Sequence, residues 1–281
     1  MGCSFAGAAG LGSFDLAGVP RPLLCLAEGG YGGGRKKSAA YFGDRLLGAG
    51  GRGAASPRGE SGVIRAVFFD AGGTLLRTAE PVGRTYARLA HHYGWQPSEE
   101  TLETGFRAAW KKRTREGMGK DGILGKAGWK KILRASVEAG GLPPEFPFEN
   151  YFEEVYEHFA RPDAWREFPE TEKVLTGLKT QGIRVGILSN WDPRLRRVLA
   201  GFDWVDQLDA VVISEEVGVE KPEEEIFRKA EQAGAWAAHE CALIGDDPVS
   251  DRAGAEGAGW KWALVERPQR GLWEALASLG L

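Results

Sequence analysis

Apolar and polar positions divide the chain into an opening stretch with no period and a long remainder that alternates between two. Val63-Ile64-Arg65-Ala66-Val67-Phe68-Phe69 is a β-branched and aromatic run. Arg184–Leu188, Ala210–Ser214, Cys241–Gly245 and Lys261–Val265 repeat its character. Between these runs lie amphipathic segments of helical period at Thr171–Thr180, Arg194–Phe202, Glu223–Ala233 and Val249–Ala258, and a last one at Leu272–Leu279 closes the chain. Apolar strands alternating with helices predict an α/β fold, a doubly wound parallel sheet that takes ligands at the carboxyl ends of its strands.

Residues 78–164 break the alternation. They hold helix-like segments at 82–93, 98–116, 127–139 and 148–160 and no convincing strand. The pattern predicts an all-helical subdomain at 78–164 inserted into a core made of 63–77 and 165–281. Charge within the insert is segregated: 105–135 carries ten Lys/Arg and two Asp/Glu, whereas 136–163 carries one Arg and seven Asp/Glu. A basic stretch of this kind either attracts an anionic substrate or is a solvated helix face, and the second is the commoner.

Composition narrows the choice of function. Lys+Arg 36 against Asp+Glu 39 leaves a net charge of −3 over 281 residues, so no global field draws the chain to nucleic acid or an anionic membrane. Apolar runs such as Pro22–Ala27 are far too short to span a bilayer. Three separated cysteines without a CxxC pair argue against a disulfide framework or zinc ribbon and fit a reducing cytoplasm. The four histidines lack HExxH spacing. Residues 1–62 hold 17 of the 41 glycines, none of the ten tryptophans and a net charge of +3. Such a segment buries too little to offset its ordering entropy and reads as a disordered Gly/Ala-rich extension, or as a start site placed upstream of the strand. Ala6 departs from the myristoylation pattern, and no apolar core follows a basic start.

Candidate chemistry sits at strand ends. The first strand runs into Asp70-Ala71-Gly72-Gly73-Thr74-Leu75, a carboxylate followed by glycines that let backbone approach a ligand, though a turn would read the same way. The next ends in Ser189-Asn190-Trp191-Asp192. Gly218-Val219-Glu220-Lys221-Pro222 places one lysine before a helix, which alone would pass for a surface residue. Ile244-Gly245-Asp246-Asp247-Pro248-Val249-Ser250-Asp251 sets three carboxylates in six residues, an oxygen-rich group whose repulsion a cation such as Mg²⁺ would relieve.

Strand-end Asp, strand-end Ser, Lys and an acidic cluster, in that order, resemble the haloacid dehalogenase (HAD) superfamily of hydrolases over residues 63–281. Asp70–Leu76 and Ser189–Asp192 are similar to one subgroup of it. The resemblance implies a HAD-like Rossmannoid core with the inserted helices as its cap. It makes Asp70 the nucleophile, Ser189 a donor to a phosphoryl oxygen and Lys221 the group that neutralises charge between them. Gly73, Thr74, Asn190 and Trp191 would contact substrate. Mg²⁺ would be held by Asp70, the Gly72 carbonyl and Asp246, with Asp251 as an outer partner. The implied partner is a small phosphorylated substrate, with no nucleic acid and no membrane; the oligomeric state stays open.

One departure stands out. Phosphatases of the family carry a general acid/base Asp two positions after the nucleophile, where this chain has Gly72. Loss of such a group typically costs about 10²–10⁴-fold in rate. A good leaving group, a substitute carboxylate (Asp247 or Glu80) or halide departure would each answer it. The expectation is a Mg²⁺-dependent phosphatase; a weak or inactive phosphate-binding protein and a 2-haloacid dehalogenase are the alternatives. Most tryptophans read as packing, with Trp191 placed to line the cleft. His91-His92 reads as surface or packing, and Cys241 as a buried thiol.

Overall fold

The computed structural model describes residues 62–116 and 123–281. The expectation of disorder over 1–62 therefore lies, Gly62 apart, outside the described residues. In chain order the elements are β1 (Ala66–Phe69), β2 (Leu76–Thr78), α1 (Val82–Ala90), α2 (Glu99–Glu116), α3 (Lys126–Ala139), α4 (Phe148–His158), β3 (Trp165–Glu167), α5 (Thr171–Thr180), β4 (Arg184–Ser189), α6 (Arg194–Leu199), β5 (Ala210–Ile213), α7 (Ser214–Val217), α8 (Glu224–Gly234), β6 (Cys241–Gly245), α9 (Gly254–Gly257), β7 (Lys261–Leu264) and α10 (Leu272–Leu279).

Five strands form one parallel sheet in the order β5-β4-β1-β6-β7. All four residues of β1 are buried, as expected of a central strand covered on both faces. Phe68 stands against Trp236 and Trp260, with ring centroids 5.6 and 5.2 Å away, in a cluster that includes Leu243, Val212 and Phe227. The chain winds from β1 out to β5 and then returns to place β6 on the other side of β1. The carboxyl ends of β1, β4 and β6 thus flank the point where winding reverses, and a crevice opens there for geometric reasons.

Two segments depart from the sequence pattern. The run from Val63 enters the sheet only at Ala66, and Val63 remains 71% exposed. Val249–Ala258 is a wide π-type turn over Pro248–Ala253 followed by the short α9. Its cause is local: Oδ1 of Asp247 accepts the N–H groups of Val249 and Ser250, and the Asp247 carbonyl accepts from Asp251 and Arg252. That widening carries Asp251 under the end of β6. A Cβ at Gly245 would lie 2.1 Å from Oδ2 of Asp251, so only glycine permits the approach.

The strands β2 and β3, absent from the sequence reading, pair antiparallel with Leu76 opposite Glu167 and Thr78 opposite Trp165. Chain therefore leaves the core and returns to it side by side, and α1–α4 lie between. Those helices have a core of their own, built on Tyr86, Leu102, Leu133, Val137, Tyr151 and Phe152. Each such side chain contributes about 1.5–3 kcal/mol when fully buried. Core and insert belong to one compact unit. The segregated charges of the insert meet each other: Lys126 pairs with Glu153 at 2.6 Å, and Lys130 pairs with Glu149. Two of the ten cations of the basic stretch are thereby held by the acidic helix α4. No helix among the described residues is long and apolar enough to cross a membrane.

Candidate active site

Asp70 follows β1 directly, and its N–H donates to Ile244 O of β6 at 2.9 Å. Its Oδ1 accepts two bonds of 2.9 Å, one from the Ser189 hydroxyl at the end of β4 and one from the Lys221 ammonium. No donor among the described residues bonds to Oδ2. The carboxylate is 13% exposed and opens into a cavity of about 800 Å³. Three residues 151 positions apart at the extremes thus converge on one oxygen because three adjacent parallel strands end together.

Lys221 is 1% exposed and lies between Asp70 and Asp251, whose Oδ1 accepts from Nζ at 2.5 Å. Burial alone would lower the lysine, but Asp251 and Asp70 more than reverse this and hold it charged, above the ordinary lysine range. The other Asp251 oxygen accepts the Asp247 N–H at 2.9 Å. Asp251 is therefore committed to the lysine and the turn. Its direct contacts are Lys221 and the turn, which leaves it the part of an outer partner that the sequence reading gives it.

Asp246 stands at the end of β6, and its Oδ1 accepts from the Thr74 hydroxyl at 3.3 Å. Burial, then repulsion from Asp70 and Asp251, push it up to about 8, against the pull of Lys221 and Thr74. Burial likewise pushes Asp251 up to about 6, with Lys221 opposing. Gly73, at φ +85°, lets the loop after Asp70 press against this carboxylate; a Cβ there would lie 2.2 Å from Oδ2 of Asp246. Asp70 and Asp251 share one ammonium and Asp246 stands beside them without a cation of its own among the described residues, an anionic excess that a divalent cation would relieve. Among the described residues no group of three or more His, Cys, Asp or Glu side chains is gathered as a metal site. Asp70, Asp246 and the Gly72 carbonyl remain as oxygen donors. That sparse set suits Mg²⁺, which keeps several waters and takes one or two carboxylates.

The other sequence candidates fall into place differently. Thr74 is fully buried and orients Asp246, so it stands behind the cavity and not on it. Asn190 lines the cavity but uses its amide on the Lys221 backbone, donating to the carbonyl at 2.8 Å and accepting from the N–H at 2.7 Å. Thr74 thereby departs from the expected substrate contact, whereas Asn190 stands on the cavity and also holds the Lys221 backbone. Gly73 and Trp191 do line the cavity, and Trp191 packs on Trp165 with ring centroids 4.8 Å apart. Neither substitute acid is poised. Burial acts to raise Glu80, but Arg88 and the Thr85 hydroxyl outweigh it and hold the carboxyl below its usual range. Asp247 gives Oδ1 to its helical turn. His91 and His92 are exposed, with His92 paired to Glu154 at 2.7 Å, and Cys241 is buried as expected.

Sequence reading missed the upper wall of the cavity. The insert contributes Phe106, Trp110, Trp129 and Tyr156, with Trp110 and Trp129 stacked at 5.6 Å. It also missed two contacts between core and insert. Arg194 pairs with Asp192 at 2.7 Å, donates to the Tyr156 carbonyl at 2.7 Å and lies 3.4 Å above the Tyr156 ring. Arg113 pairs with Glu220 at 3.0 Å, and Glu220 also accepts the Leu124 N–H. Helical period marks Trp110 and Trp129 as apolar-face residues, but nothing in it distinguishes a packed face from a cavity wall.

Known proteins bear on this geometry. Haloacid dehalogenase-like hydrolase domain-containing protein 3 of Mus musculus is 29% identical over 206 residues, 72% of this chain and 82% of its own. An L-2-haloacid dehalogenase from Xanthobacter autotrophicus superposes with a TM-score of 0.59 at 22% identity, covering 77% of this chain and 83% of that one. A HAD phosphatase from Thermococcus onnurineus gives 0.55 at 22% identity, covering 77% and 98%. One fold therefore serves both chemistries, and fold alone does not choose between them. Residues 64–259 match the family model described as haloacid dehalogenase-like hydrolase, a span that contains Asp70, Ser189, Lys221, Asp246 and Asp251; the chain belongs to that family.

Proposed function

We propose that this hydrolase is a Mg²⁺-dependent phosphatase that works through an aspartyl-phosphate on Asp70, beneath the inserted helices as a cap. The observation that carries the reading is the Asp70 carboxylate: Ser189 and Lys221 fix Oδ1, and Oδ2 is left to attack. Oδ2 forms a bond to phosphorus while the bond from phosphorus to the leaving oxygen breaks, its electron pair going to that oxygen. Water then attacks phosphorus, releases inorganic phosphate and restores the carboxylate. Lys221 offsets charge as two anions meet, and the Ser189 hydroxyl, which has one proton, turns from Oδ1 to donate to a phosphoryl oxygen once substrate is bound. Asp70, Asp246 and the Gly72 carbonyl would hold Mg²⁺, which supplies further charge neutralisation when bound.

The anionic excess around Asp70 suits a bound cation, which supports the phosphatase reading, since attack at an anionic phosphoryl group needs charge neutralisation at the reacting atom and attack at a neutral halogenated carbon does not. Dehalogenation of a 2-haloacid is the second reading, favoured by Gly72, because a halide departs without a proton. Hydrolysis of acetyl phosphate, with Mg²⁺ or with EDTA, tests the first reading in the wild type and Asp70→Asn. Metal-dependent phosphate release that disappears in the variant is expected. Absence of release overturns it, and halide release from 2-chloropropionate without added metal would establish the second reading instead.

A further inference from the structure

Resting on the phosphatase reading, the geometry points to an aryl phosphate as the substrate class: a phosphoryl group carried on the oxygen of a planar aromatic ring that lies within the aromatic part of the cavity. Two independent features of the cavity lead there.

The first is its wall. Beyond Asp70 the space is bounded by Trp191 and Trp165 from the core side and by Trp110, Trp129, Phe106 and Tyr156 from the insert. Three of the arginines on this cavity have carboxylate partners nearby, Arg194 on Asp192, Arg113 on Glu220 and Arg107 on Glu103, and Arg77 lies in β2, away from the insert's aromatic wall in sequence. A sugar or glycerol leaving group would strand its hydroxyls against indole and phenyl faces, at the cost of unmet hydrogen bonds. A flat ring would instead gain burial and offset or edge-on ring contacts. The indole N–H groups of Trp129 and Trp191 are buried and meet no acceptor, so a polar substituent on the ring would find donors already desolvated.

The second is that position 72, two residues after Asp70, brings no side-chain proton donor to the leaving oxygen. Gly72 offers no side chain, and the place its Cβ would take faces the Trp191 ring at 3.5 Å. An indole therefore stands where a longer residue at 72 would reach. Asp251 is tied to Lys221, Asp247 to its turn and Glu80 to Arg88. A phenol ionises near about 10, whereas water does so only near about 15.7, so an aryl oxide leaves with its electron pair and takes a proton from water afterwards. Alkoxide departure has no such latitude. Wall and missing donor select the same leaving group for unrelated reasons.

The test compares kcat/KM of the full chain with Mg²⁺ on 1-naphthyl phosphate, phenyl phosphate, glycerol phosphate and acetyl phosphate. Aryl phosphates should exceed glycerol phosphate by at least about 100-fold, part from the leaving group and part from burial. Naphthyl should exceed phenyl phosphate by about tenfold, which leaving-group ability alone does not provide. Trp129→Leu should bring the naphthyl-to-phenyl ratio toward one. Acetyl phosphate turnover with glycerol phosphate equal to or better than the aryl compounds overturns the aryl assignment and leaves the phosphatase reading intact. A naphthyl-to-phenyl ratio near one in the wild type overturns the ring site. No turnover of any of the four removes both.

Discussion

Asp251 holds the Lys221 ammonium at 2.5 Å, and the same ammonium reaches Asp70 at 2.9 Å, so one buried lysine bridges the end of β1 and the turn after β6. The relationship depends on backbone as much as on charge. Asp247 widens the turn, Gly245 leaves room for Asp251, and Asn190 grips the Lys221 backbone at both its N–H and its carbonyl. Lys221 is thus placed from three directions before any substrate arrives, which is what electrostatic preorganisation requires.

Replacing that lysine should cost stability as well as activity. Lys221→Met leaves the buried Asp251, and Asp70 next to it, without their shared cation. Removal of one partner from a buried ion pair costs about 3–5 kcal/mol. Urea unfolding of the variant in EDTA should show a loss of that size relative to wild type. A loss below about 1 kcal/mol would mean that Asp70 and Asp251 do not depend on the lysine.

Gly73 should be intolerant of even one methyl group. At φ +85° a Cβ costs about 1–2 kcal/mol on backbone grounds, and this one would lie 2.2 Å from Asp246. Gly73→Ala should displace Asp246 and reduce turnover by more than tenfold, while Gly182→Ala, also at positive φ but with open space around it, should cost stability only. Equal turnover in the two variants would show that the loop gives way without moving Asp246.

What the chain reveals in advance follows from what period and order can encode. The strand at Cys241–Gly245 and the helices Thr171–Thr180 and Leu272–Leu279 match residue for residue, because each is bounded by a clear change of pattern. Asp70, Ser189 and Lys221 were legible as strand-end chemistry that gains meaning in combination. Thr74 is misassigned as a substrate contact, and the ties of Asn190 and Asp251 to Lys221 go unseen, for one shared reason. Their polar groups are satisfied by neighbours distant in sequence, and residue type cannot tell a contact with substrate from a contact with another functional group. β2 and β3 escaped notice because three residues give no period. The aromatic wall escaped because apolar faces look alike whether they meet a helix or a void.

Acid should weaken the fold partly through Asp209. Its Oδ2 accepts from Lys179 at 2.7 Å and from the Val185 N–H at 2.9 Å, and its Oδ1 accepts from Arg184, so it ties α5, β4 and the start of β5. Burial would raise this carboxyl, but Lys179, Val185 and Arg184 bring it below its usual range. A depressed folded pKa gives stability that is present above the unfolded value of about 3.9 and is lost as pH falls through the folded value. Asp209→Asn should lower stability at pH 7 by about 1 kcal/mol, since the cationic partners are partly exposed and screened. The deficit should close below about pH 3. A deficit independent of pH between 7 and 2.5, read from urea midpoints, would assign it to lost geometry instead.

Glu220 sits next to Lys221 in sequence and fastens the insert to the core. Its carboxylate, 3% exposed, takes the Arg113 guanidinium at 3.0 Å and the Leu124 N–H at 3.0 Å. Such a pair can exist for stability or for holding two units in one arrangement, and a double-mutant cycle separates these roles. Glu220→Leu alone leaves a buried guanidinium and should cost about 3–5 kcal/mol; Arg113→Met alone should cost a similar amount. The double variant should recover most of either loss, because two apolar side chains carry no desolvation penalty. If the pair also sets the position of the aromatic wall over Asp70, the stable double variant should keep its acetyl phosphate kcat yet show a raised KM for larger substrates. Recovery of stability together with wild-type KM for every substrate would make the pair a structural fastening with no part in shaping the cavity.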